Sequence, residues 1–142
     1  MIVYVSLINV FLVGLVVAMH YEFLYRLTLT IPKMSIPHRY RIVIGVLGAF
    51  IAHAFEIWIF AIAYYFMNQS DGWGNLTGNF DGKLMDCAYF SFTVFSTLGF
   101  GDIAPIGNIR YLTGIESLTG LLLITWSASF LYFEMQRSWN KR

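Results

Sequence analysis

Charge is what this 142-residue sequence has least of: Lys, Arg, Asp and Glu together make up 12% of it, against about 25% in ordinary soluble domains. A chain so sparsely charged does not have water as its main solvent. The charges it has nearly cancel, at +1, so it lacks the basic excess that neutralises phosphates, and nucleic acid is set aside as a partner. One cysteine, Cys87, excludes an intrachain disulfide and a cysteine metal cluster; on its apolar segment it reads as a small packed hydrophobe. There are three prolines, of which Pro32 and Pro37 mark a short, stiff connection rather than a domain linker. No internal repeat and no low-complexity tract is present.

What is there is apolar: 58% hydrophobic residues, 18% aromatic. Three stretches, about 2–25, 41–67 and 109–134, are long enough to cross a hydrocarbon core of about 30 Å, which takes roughly 20 helical residues. After a polar, glycine-rich loop at 68–83 comes Leu84 to Ser96, apolar but too short to span. A glycine-rich run follows it at once, so it reads as a half-membrane helix of a re-entrant loop.

Lys and Arg near span ends are retained in the cytoplasm. Arg26, Lys33, Arg39 and Arg41 gather in the first connection and Arg137, Lys141 and Arg142 in the tail, while Lys83 and Arg110 fall on the other side. The expected orientation has the amino terminus outside and the carboxyl terminus cytoplasmic, in the plasma or inner membrane. No Lys or Arg precedes the first apolar run, which therefore reads as a span rather than a cleaved signal.

The half-helix ends in Ser96-Thr97-Leu98-Gly99-Phe100-Gly101-Asp102. Glycines at alternate positions permit backbone angles that let successive carbonyls point the same way. A carbonyl-lined path can replace the hydration shell of a cation, and non-helical backbone at membrane depth is tolerated where it is buried in protein or lines water. The half-helix would aim its carbonyl end, worth roughly half a negative charge, at the cavity below.

Here the sequence resembles the pore module of tetrameric potassium channels, and more narrowly the small bacterial proteins of the two-pore-domain type. Thr97 to Asp102, T-L-G-F-G-D, stands where that family has T-V-G-Y-G-D. The resemblance covers residues 41–134. It implies an all-α membrane protein with three transmembrane helices, a re-entrant pore helix and a selectivity-filter loop, assembled as a homotetramer. Its parts would be an extra amino-terminal helix and loop (1–40), an outer helix (41–67), a turret (68–83), a pore helix (84–96), a filter (97–102), an inner helix (109–134) and a short cytoplasmic tail (135–142).

The same resemblance implies that Thr97, Leu98, Gly99 and Phe100 offer oxygens to K+ ions, that Gly101 and Asp102 form the outer mouth, and that no organic cofactor is needed. Gly120 matches the family's hinge glycine. Leu121, Ile124 and Ala128 would line the inner cavity, with permeant monovalent cations and membrane lipids as partners. Leu98 and Phe100 depart from valine and tyrosine. Tyr89 and Phe90 occupy positions of tryptophans that brace the filter in the family, and Thr93 replaces a carboxylate found in some relatives. Alternatives are a weakly selective monovalent cation channel and a non-conducting accessory or sensor subunit; enzymatic chemistry is not expected.

Ionisable residues inside the spans need protein partners, a water cavity or an interface. His20, Glu22 and Glu134 lie near inner span ends, where snorkelling or pairing with Arg26 or Arg137 is expected. His53 and Glu56 share one helical face at mid-span. Together they form either a proton- or metal-responsive sensor or a hydrogen-bonded pair that locks the extra helix onto the pore. Glu116 lies one turn before Gly120 and is expected to bond to the pore helix near Thr93 or Ser96. Tyr64, Tyr65, Trp73 and Trp139 read as interfacial belts.

Overall fold

The structure is a computed structural model that describes residues 2–139. Lys141 and Arg142, counted among the basic residues of the tail, lie outside the described residues. Helix α1 spans Ile2–Thr30, α2 His38–Asn68, α3 Leu84–Phe95 and α4 Ile109–Trp139. Three of them, α1, α2 and α4, are long and apolar enough to cross a membrane, and α3 is a shorter apolar helix.

Each helix starts and stops for a local reason. Pro32 falls in a short 3-10 turn at Ile31–Lys33 that ends α1, and Pro37 caps the start of α2, where the missing proline N–H costs nothing. At the start of α3 the Asp86 carboxylate accepts the backbone N–H of the N-cap residue Lys83 at 3.2 Å and that of Asp81, in the preceding loop, at 3.0 Å, which ties the loop to the first turn.

The long helices overrun the apolar windows that reveal them. α1 continues to Thr30 and α4 to Trp139, so residues 135–139 of the expected tail are helix. Helical hydrogen bonding has no reason to stop where hydrophobicity does. Side-chain pairs one turn apart, Glu134 with Arg137 and Tyr132 with Gln136, accompany the last turns of α4.

Two short strands depart from an all-helical reading. β1, Asn75–Gly78, pairs antiparallel with β2, Ile103–Ile106, in the register Asn75 to Ile106 and Gly78 to Ile103. This clip joins the loop after α2 to the segment just after residues 97–102. The two backbones come so close that a Cβ on Gly78 would strike the Asp102 carbonyl oxygen, and φ there is +100°, a conformation in which glycine carries no steric cost.

The core lies where α2, α3 and α4 meet. Phe60, Tyr64, Phe90, Phe95, Leu112 and Leu123 are all buried in it. α3 packs on both α2 and α4, which also pack on each other, and α1 packs on α2 and α4. Tyr64 is fully buried and Trp73 nearly so, with Val5 of α1 in the same core cluster. Both were expected at the interface. Proximity to a span end says nothing about which face of the helix a ring occupies.

Candidate functional site: the filter loop and its supports

α3 ends at Phe95, and the chain then takes a sequence of backbone angles that no helix or strand uses. Thr97, Gly99 and Gly101 have positive φ, at +60°, +53° and +83°, with Leu98 and Phe100 between them outside that region. Thr97 is the one non-glycine residue among those described with positive φ, an uncommon state that β-branching makes costlier. An alternation of this kind removes the two-sided zigzag of extended chain, so successive carbonyls can be presented to one side.

Two ties hold this loop. At its inner end the Gly99 N–H donates to the Thr93 carbonyl at 3.0 Å and the Thr97 N–H to the Val94 carbonyl at 2.9 Å. Toward the mouth the Asn79 N–H donates to the Asp102 carbonyl at 2.8 Å, beyond which β2 begins. The loop is thus fixed at both ends, while Thr97 to Asp102 are themselves exposed in the single chain.

The bracing residues separate by role. Tyr89 donates from its hydroxyl to Asp102 at 2.9 Å, and its ring lies parallel to that of Phe100, centroids 6.5 Å apart. Tyr89 thus ties α3 to the far end of the 97–102 loop. Phe90 turns the other way, into the core, edge-on to Tyr64 at 5.1 Å. Thr93 is buried; its hydroxyl donates to the Phe90 carbonyl, leaving its own carbonyl for Gly99.

Glu116 is fully buried and bridges three helices. It accepts from the Tyr64 hydroxyl of α2 at 2.5 Å and from the Ser91 hydroxyl of α3; Ser91 also contacts the Ile57 carbonyl at 2.9 Å. The partner on the pore helix is thus Ser91. Thr93 and Ser96 were expected there, but both spend their hydroxyls on backbone carbonyls of their own helix. Sequence reasoning also missed Tyr64. A tyrosine hydroxyl inside an apolar span needs a partner, which was the available signal.

Gly120 faces the end of α3. A Cβ there would collide with the Phe95 carbonyl oxygen and stand 2.8 Å from its carbon, so α4 crosses α3 with backbone against backbone. Leu121, Ile124 and Ala128 lie exposed beyond it.

Glu22 pairs with Arg26 and Glu134 with Arg137, as residues near span ends do. His20 does not follow them. It is fully buried and turns inward, its Nδ1 2.7 Å from Glu56 Oε1, while His53 Nδ1 lies 2.8 Å from Oε2 of the same carboxylate. The His53 and Glu56 pair therefore has a third member, from α1. It was hidden because a histidine near an end of one span gives no sign of which neighbour it meets.

No curated protein and no solved structure matches the chain. The profile of the ion channel family matches residues 52–136, more than half the chain, covering most of α2, all of α3 and the filter loop, and α4 to near its end. With three membrane-length helices and a short apolar helix between the last two, the chain belongs to the ion channel family and is an ion channel subunit of a membrane.

Proposed function

We propose that four copies of this chain assemble around one axis as a homotetramer that passes K+ passively across the membrane. The observation that carries the reading is the alternation of positive φ at Thr97, Gly99 and Gly101 directly after a half-membrane helix. One chain supplies one such loop. A ring of four would surround a dehydrated cation with the carbonyls of Thr97, Leu98, Gly99 and Phe100, which is how carbonyl filters replace hydration. Cyclic closure leaves no unpaired interface.

Each remaining part has a task in that ring. Gly101 and Asp102 form the mouth, with Tyr89 holding Asp102 from outside. The carbonyl end of α3 points its partial negative charge toward the space below the filter, where it favours cations. Leu121, Ile124 and Ala128 line the cavity on the cytoplasmic side. The basic residues of the first connection and the tail set the amino terminus outside. Potassium over sodium is supported by the backbone carbonyl oxygens of Thr97, Leu98, Gly99 and Phe100 and by the Tyr89 tie, which restrains a mouth that lacks the filter tyrosine.

The test is purified full-length protein in liposomes. The particle should have four times the 16.3 kDa chain mass once detergent is subtracted. A K+ gradient should drive flux that an equal Na+ gradient does not. Equal fluxes for both ions overturn the selectivity, and a monomeric particle without flux overturns the pore.

A further inference from the structure

The filter leaves one cluster of chemistry unused. His20, His53 and Glu56 each present a ligand atom within 4.8 Å of the other two. The geometry points to a binding site for a divalent transition-metal ion of the zinc class, held by His20 of α1 and by His53 and Glu56 of α2, which clamps the amino-terminal helix to the pore module.

The donor set comes first. Two imidazoles and a carboxylate suit zinc and its neighbours rather than K+, Mg2+ or Ca2+, which prefer oxygen alone. The two α2 ligands stand three residues apart on one face, and the third arrives from another helix, so a bound ion would bridge two elements rather than decorate one.

Charge balance comes next. Glu56 and His20 are fully buried, and the sequence reading places Glu56 at mid-span. No Lys or Arg pairs with Glu56 among the described residues. The elements packed on the cluster bring aromatic rings: Phe95 of α3 is 5.7 Å from His53, and Trp126 of α4 is 5.2 Å from His20. Protons on the imidazoles or a cation in their place would balance the carboxylate's charge, and an unbalanced charge buried in a membrane span is costly.

Geometry permits the exchange. Zinc takes nitrogen and oxygen ligands at about 2.0 to 2.2 Å in a tetrahedron, which places neighbouring ligand atoms about 3.3 to 3.6 Å apart. The present separations are 2.7 and 2.8 Å, so the two imidazoles would draw back from the carboxylate by about 0.5 to 0.9 Å. Each of the three residues offers one ligand atom, and a water would take the fourth position of a tetrahedral site.

The orphaned atom fits as well. His20 Nε2 is buried without a hydrogen-bond partner, which calls for an explanation. With Nδ1 on a metal, Nε2 carries the hydrogen, and an N–H is better tolerated against aromatic faces than a bare lone pair. His53, 17% exposed, is the member an entering ion can reach.

This inference does not depend on potassium conduction. Tag-free full-length protein, stripped with a chelator in detergent, is titrated with ZnCl2 and, separately, with CoCl2. One Zn2+ should bind per chain and raise the melting midpoint, and Co2+ should give an intense visible band of four-coordinate cobalt. His20→Gln, His53→Gln and Glu56→Gln, each checked for an unchanged elution volume, should each weaken Zn2+ binding by at least about tenfold. Wild-type protein that binds no Zn2+ or shows only a weak six-coordinate cobalt spectrum, or binding that survives in His20→Gln, overturns the site and leaves a hydrogen-bonded lock. Conduction without zinc binding sinks this inference alone, and zinc binding without conduction sinks the pore reading alone.

Discussion

Glu116 shows how a single residue organises this membrane interior. A carboxyl group deep among apolar side chains is expensive unless every lone pair is used, and here two hydroxyls from two different helices converge on it. Removing it should cost more than removing either hydroxyl, because Ser91 keeps the Ile57 carbonyl while Tyr64 is left with Thr113 at 3.4 Å. Glu116→Ala is expected to destabilise the purified protein by about 1 to 3 kcal/mol, with Glu116→Gln milder because its amide oxygen still accepts. A double-mutant cycle with Tyr64→Phe should return a coupling of about 0.5 to 3 kcal/mol. Simple additivity would show that the three groups do not act as a network. The need for a partner was legible from the glutamate's position in an apolar run. Which hydroxyl answers was not, since Ser91, Thr93 and Ser96 differ only in the direction each faces, and Thr93 and Ser96 turn back on their own helix.

Between elements, the crossing of α4 over the end of α3 positions the start of the 97–102 loop. Gly120 allows backbone contact with Phe95, the last residue of α3, and the same end of α3 carries the carbonyls that anchor Thr97 and Gly99. Gly120→Ala cannot be accommodated by a side-chain rotation, because the obstacle is main chain. It should cost about 1 to 3 kcal/mol through forced backbone movement and disturb ion flux. Gly14→Ala, with nothing within 4 Å of the added carbon, should leave the melting midpoint near that of the parent. Equal effects from the two would remove the steric account. The helices were readable because each span is a long apolar run and α3 a short one. The β1 and β2 clip was not: each strand is four residues long, its partners are as far apart as Thr77 and Ala104, and Pro105 lies within β2, where proline argues against a strand unless it is at an edge. No local pattern records a pairing across the whole pore helix.

On the scale of the whole molecule, the family match begins inside α2, at residue 52, and leaves α1 out. α1 is joined to the matched part by the His20 contact with Glu56 and by apolar packing, with Val5 and Val16 in the same core cluster as residues of α2, α3 and α4. The exposed apolar residues of the single chain then divide into two kinds. Phe11, on α1, and Ile124, on α4, are both exposed hydrophobics, yet in the proposed assembly the first meets lipid and the second a water-filled cavity. A carboxylate distinguishes these environments, since at mid-bilayer it costs about 2.5 to 3.5 kcal/mol on insertion scales, whereas beside water it stays hydrated. Ile124→Asp should therefore insert, assemble and keep passing cations, while Phe11→Asp should lower the yield of membrane-integrated protein several-fold. If Ile124→Asp fails as badly as Phe11→Asp, α4 does not face an aqueous path and the helix register around the axis is wrong. If both are tolerated, α1 is not at the lipid boundary. The comparison reads the cavity from insertion yield alone, so it reports on the architecture before any current is measured.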